Sequence, residues 1–198
     1  KLGVARLLEG SVRRVGDEVR ISAELVNAAD GSTLWSQSYD RPYQNLFRLQ
    51  DEITDAVAST LKAKLKVGGA GVAQSDRPPS GNLDAYNAYL QGIFRARLNT
   101  AVDNRKAIGY YEQAIRIDPK YALAYAGLAQ AEVVANTIFS SAFGERDVLV
   151  AKARAAVDTA LALQPDLGPA HQAHAFILQV VDFNLVAANA ELRRAAEL

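Results

Sequence analysis

The spacing of apolar residues changes once along this chain, near Pro42. Before it, apolar and polar positions alternate in twos. Leu7 to Val15 forms a first run, closed by the two-residue turn Gly16-Asp17. In the next run Val19, Ile21, Ala23 and Leu25 alternate with Arg20, Ser22, Glu24 and Val26, which gives one buried and one largely solvated face. Asp30-Gly31 supplies a second turn, and Thr33 to Arg41 a third strand with Trp35 and Tyr39 on one face. The expected product is a three-stranded antiparallel meander.

After Pro42, Leu46, Leu49, Ile53, Val57, Leu61 and Leu65 recur every three to four residues, the stripe of an amphipathic helix. Asn45 is its expected N-cap. Lys62, Lys64 and Lys66 complement the negative end of the helix dipole, and Gly68-Gly69 ends the helix. Residues 1–66 therefore form a small α+β subdomain. Residues 67–82 are rich in Gly, carry Pro78-Pro79 and have little to bury, so they read as a linker.

From Leu83 onward every period is helical, and the chain repeats itself. Ala107-x3-Tyr111-x2-Ala114-x4-Pro119 matches Ala153-x3-Val157-x2-Ala160-x4-Pro165, and Ala188-x3-Leu192-x2-Ala195 begins a third copy. Small residues at those spacings let helices approach closely, and each proline stops one helix before the next begins. A partner helix precedes each copy: Ala85–Leu98, Tyr121–Asn136 and Pro169–Val181. The expected units are helix pairs over 83–119, 120–165 and 166–198, with Thr137–Asp147 an insertion that sets the first two copies 46 residues apart against 35 for the next two.

Composition narrows the function classes. Lys plus Arg (22) balances Asp plus Glu (22), which argues against electrostatic capture of nucleic acid or an anionic membrane. The absence of Cys removes disulfides, thiol catalysis and cysteine-ligated metals. The longest uncharged stretch, Leu167 to Val181, is broken by Gly168, Pro169, His171, Gln172, His174 and Gln179 and does not read as a membrane span. Met is absent, and the chain opens at Lys1-Leu2-Gly3-Val4 as if within a domain. These features suggest an excised piece of a larger protein with an incomplete sheet.

Two resemblances follow from particular residues. The Ala-spaced helices, with Tyr125, Leu128 and Ala129 where a Trp, a Leu and a Gly are usual, resemble tetratricopeptide repeats, and His171, His174 and Ala175 take the same places in the third copy. The segment LLEGSVRRVGDEVRISAELVNAADGSTLWSQSYDR with LFRLQDEIT resembles the second half of the TolB amino-terminal-like domain. The order LxGSVRRxGDxVRI, LWSxxYDR, LQDEI, DAYxxYLxG and YALAYAGLA is similar to the versions linked to class III adenylate/guanylate cyclases. That resemblance implies a non-enzymatic interaction and regulatory module of a bacterial signalling protein, C-terminal to a cyclase domain. The alternative it leaves is the periplasmic sensor part of a membrane-anchored, CadC-type winged-helix regulator. The compartment, cytoplasmic or periplasmic, stays open.

No catalytic, cofactor or metal constellation is expected. Gly68-Gly69-Ala70-Gly71 lacks the Lys-Ser/Thr of a phosphate loop, and Ser11, Ser36 and Ser140-Ser141 lack a nucleophile-elbow context. His171 and His174 share a helix face at a spacing that can chelate a metal, with Asp166 and Asp182 nearby. The repeat register instead gives both rings packing positions. Arg13, Arg14 and Arg20 read as a solvated face diluted by Glu9, Asp17, Glu18 and Glu24, and Asp51-Glu52 with Asp55 as the outer face of the first helix. The repeat family's groove positions map to Phe94, Arg97 and Leu98, then Ala126, Gln130, Val133 and Val134, then Gln172, Phe176 and Gln179. Only Arg97 is charged among them. The groove should take a protein or peptide segment, or another domain of the parent, rather than a charged chaperone tail. An edge strand, Leu7–Val15 or Thr33–Arg41, should lack a neighbour and pair with a second copy of the chain.

Overall fold

A computed structural model describes residues 4–65, 75–139 and 146–198. The chain divides into two compact units, Lys1–Gln74 and Ser75–Leu198, each described by itself.

In the first unit, β1 (Arg6–Val15), β2 (Glu18–Asn27) and β3 (Thr33–Pro42) form an antiparallel sheet in the order β1-β2-β3, as the alternation predicts. Gly16 (φ +60°) makes the tight turn that sets Val15 opposite Glu18. A register shift between Leu25 and Val26 accommodates the second, longer turn. The odd-numbered positions of β2 and β3 form the inner face. There Val19 and Tyr39 are buried with Leu49 of α1 (Leu46–Leu65), and Ile21, Tyr43 and Ile53 pack around them. A one-turn 3-10 segment, Tyr43–Asn45, leads into α1. Glu52, expected on the helix's outer face, is half-buried because it binds Arg41 of β3 (3.2 Å) and Arg48 (3.3 Å), fastening α1 to the sheet. Lys66 and the Gly68-Gly69 stop expected for this helix lie outside the described residues, as does the Gly68–Gly71 run.

The second unit is built of antiparallel helix pairs: α2 (Leu83–Arg97) with α3 (Ala101–Ile117), α4 (Ala122–Thr137) with α5 (Arg146–Leu163), and α6 (Gly168–Val180) with α7 (Leu185–Glu197). Side-chain caps start several of them. Asn82 accepts from the Asp84 and Ala85 amides, Thr100 from that of Asp103, and Asn184 from that of Ala187. The repeated alanines lie in the seams. Ala107, Ala114, Ala153 and Ala160 are wholly buried, because a methyl side chain lets neighbouring backbones close to contact distance. Tyr111 and Val157, at matching places, are buried, while their third-copy counterpart Leu192 is 44% exposed. Ser140-Ser141 and most of the expected insertion lie outside the described residues; α5 begins within it, at Arg146.

The composition-based linker is corrected at its C-terminal end. Residues 75–82 belong to the helical unit and strap across the start of α2 and the α3–α4 corner. The Asp118 carboxylate accepts from the Ser80 amide (2.9 Å) and the Lys120 amide (3.0 Å), and Tyr86 donates to the Asp76 carboxylate (2.8 Å). Tyr121 donates to the Asp76 carbonyl, and Pro78 is buried. A proline pair resembles linker sequence, yet here its rigidity lowers the entropy cost of holding the strap in place.

Candidate functional site

The first helices of the three pairs, α2, α4 and α6, present one concave surface of about 620 Å³. Helical spacing decides which side chains reach it. Tyr89, Ile93 and Arg97 step along α2 at intervals of four, Ala126, Gln130 and Val134 along α4, and Gln172, Phe176 and Gln179 along α6 at four and three. Leu192 of α7 closes one end.

Of the positions mapped from sequence, Arg97, Ala126, Gln130, Val134, Gln172, Phe176 and Gln179 line this surface. Three positions are corrected. Val133 is 1% exposed and packs against Ala153, Val157 and Ile177, because a step of one residue turns it about 100° from Val134 into the seam with α5 and α6. Phe94 and Leu98 fall one residue past the lining register of α2. They stand exposed with Leu90 on a separate stripe, where Phe94 meets the Arg95 guanidinium at 5.5 Å. Tyr89, Ile93, Asn104, Leu123 and Leu192 line the surface and were not anticipated. The i, i+4 series from Arg97 back to Tyr89 was the signal that would have found the first two.

The lining is apolar with isolated hydrogen-bonding groups. Burial pushes the Tyr89 phenol up to about 12 and the Tyr111 phenol higher still, so both rings stay neutral at physiological pH. Asn104 is 97% removed from solvent in this wall and spends its amide N–H on the Ala131 carbonyl (3.0 Å), tying α3 to α4 beneath the surface. The amides of Gln130, Gln172 and Gln179 and the guanidinium of Arg97 supply the polar functions above it. Such a surface offers donors, acceptors and dry contact area, and no acid, base and nucleophile converge on it.

The other sequence candidates have structural partners. His171 directs Nδ1 at Glu191 (2.5 Å) and Nε2 at the Pro165 carbonyl (2.8 Å), while His174 Nδ1 lies 3.4 Å from the other Glu191 oxygen. Glu191 of α7 thus anchors the His171 ring, while His174 Nδ1 lies near the same carboxylate without a hydrogen-bond partner among the described residues. Asp166 pairs with Arg194 and Asp182 with Arg154, which directs both carboxylates to helix-corner ion pairs. The three arginines of the first hairpin make no continuous patch. Arg14 covers the Tyr43 ring at 3.8 Å and donates to the Gly16 carbonyl, and Arg20 is bidentate on Asp40. No helix among the described residues is long and apolar enough to cross a membrane.

No family model matches the chain. Over 141 residues it is 32% identical to a protein described as "Putative adenylate cyclase 3" from Rhizobium meliloti (strain 1021), an alignment that takes in 70% of this chain and 23% of that protein. The chain therefore spans less than a quarter of the length of the curated relative it matches.

Proposed function

We propose that this chain is a non-enzymatic interaction and regulatory module of a cyclase-containing bacterial signalling protein. In this reading the first unit is a TolB amino-terminal-like subdomain and the second a short array of tetratricopeptide-like pairs, whose inner surface receives an extended or helical segment of a protein partner or of the parent itself. The observation that carries it is the lining: three successive first helices contribute apolar side chains, amides and one cation to a single concavity. The similarity to a protein named as an adenylate cyclase supports the signalling context.

Binding regulates only if the partner prefers one of two states of the attached output, so occupancy of the concavity should shift that output. Peptide display against the whole chain should enrich apolar peptides with an acidic residue or free carboxylate to meet Arg97. Their affinity should fall on the order of tenfold in Arg97→Ala and in Phe176→Ala, as for loss of one interface anchor. The reading fails if no enriched peptide responds to either substitution and if deleting residues 83–198 leaves the nucleotide cyclase output of the longer protein unchanged.

A further inference from the structure

On α4, Tyr125, Leu128 and Glu132 follow at steps of three and four and so share one face. It lies opposite the side that Ala126, Gln130 and Val134 present to the concavity. That face floors a crevice of about 270 Å³, bordered by Glu112 of α3 and by Lys152, Ala155, Ala156 and Thr159 of α5. The alanines of α5 leave room that larger side chains would fill. Glu132 is 2% exposed, and its Oε2 has no hydrogen-bond partner among the described residues. A buried carboxylate oxygen left unpaired is costly. Two carboxylates, Glu112 and Glu132, stand against the one ammonium of Lys152, so the formal charges lining the crevice sum to a negative value. Burial raises the Glu132 pKa, and Lys152 lowers it only in part. The crevice is short of a cation.

Its walls decide which cation fits. No group of three or more metal-ligating side chains gathers among the described residues, and a hard metal ion such as calcium takes roughly six to eight oxygen ligands. Leu128, Ala155 and Ala156 instead give apolar walls that suit an aliphatic stem. The buried carboxylate suits a charged N–H donor at the end of that stem, and the Tyr125 ring adds a face that attracts cations. The volume falls below the range of roughly 300–1,000 Å³ for drug-sized ligands and matches a group the size of one side chain. We propose that this crevice binds an alkylammonium group, either the end of a partner's lysine side chain or a free linear amine, with Glu132 as its anion. This site is separate from the concavity and does not depend on what binds there.

Amide NMR of the whole chain, titrated with n-pentylammonium, tests this. Saturable shifts are expected at the amides of Leu128, Glu132, Ala155 and Ala156. The alcohol n-pentanol, with the same stem and no charge, should shift them far less. Glu132→Gln should weaken pentylammonium binding on the order of tenfold, as for loss of a hydrogen bond to a charged group. That variant removes a buried charge and should be at least as stable as the parent, so loss of binding would not be loss of fold. Binding of Nα-acetyllysine methylamide more tightly than pentylammonium marks a protein lysine as the source, and the reverse order marks a free amine. No saturation by either amine, equal shifts with pentanol, or unchanged affinity in Glu132→Gln would overturn the proposal.

Discussion

The ring of Tyr111 lies where a side chain on Gly92 would have to be: a Cβ built on Gly92 would come within 2.5 Å of Tyr111 Cε1. From the other side, a Cβ on Gly127 would come within 2.6 Å of the same atom. The tyrosine of α3 is thus clasped by the bare backbones of α2 and α4, and Tyr89 packs against it with ring centroids 6.1 Å apart. Glycine inside a helix usually costs stability relative to alanine, and here that cost is offset by the aromatic ring it admits.

Gly92→Ala and Gly127→Ala should therefore each destabilise the helical unit by about 1–3 kcal/mol, the usual penalty for overpacking, despite alanine's better helix propensity. Gly109, also helical, has nothing within 4 Å of its would-be Cβ. Gly109→Ala should instead stabilise by roughly 1 kcal/mol. Urea denaturation of the three variants measures the contrast.

Asp118 fastens the strap. Burial alone would raise its pKa, but hydrogen bonds from Ser80 and Lys120 outweigh it and hold the carboxyl below the usual range. A depressed folded-state pKa adds stability above the ordinary carboxylate value, and that stability is lost as pH falls through the folded-state value. Asp118→Ala should cost about 1.5–3 kcal/mol at neutral pH, the range for hydrogen bonds to a charged group. It should also expose the Ser75–Gly81 amides to faster hydrogen exchange.

Glu132 has the opposite sign. It is 2% exposed on α4, and burial raises its pKa, with Lys152 lowering it and Glu112 raising it to smaller extents. The folded state then holds the proton more tightly than the unfolded chain. Stability is greatest below the ordinary glutamate value and declines as pH rises toward the folded-state value. Glu132→Gln should raise the melting temperature at pH 7, and the gain should vanish in acid. Melts of both proteins at the two pH values decide it.

Phe183, between α6 and α7, adopts φ +54° with its side chain 77% exposed. A left-handed backbone costs a bulky residue roughly 1–2 kcal/mol, and no burial of the ring offsets it here. Phe183→Gly should stabilise the chain by about 1 kcal/mol in the same urea assay.

Local spacing along the chain determined the element types. The alternation of Val19 to Leu25, the stripe from Leu46 and the Ala-x3-x-x2-Ala repeats each dictate one way of burying apolar surface, and the sheet and paired helices follow from them. Hydrophobic period reports which face is buried, but not against what. Val133 and Val134 are indistinguishable as residues, yet packing against α5 hides one and leaves the other on the concavity. One residue of register on α2 puts Ile93 in the lining instead of Phe94 and leaves Leu98 outside beside Arg97, with Tyr89 continuing the same series. Residues 75–82 look unstructured in composition because their order comes from Asp118 and Tyr121, some forty residues away. What required tertiary structure was therefore the azimuth of each helix and the long-range hydrogen bonds. Both depend on contacts between segments whose separation along the chain carries no local signal.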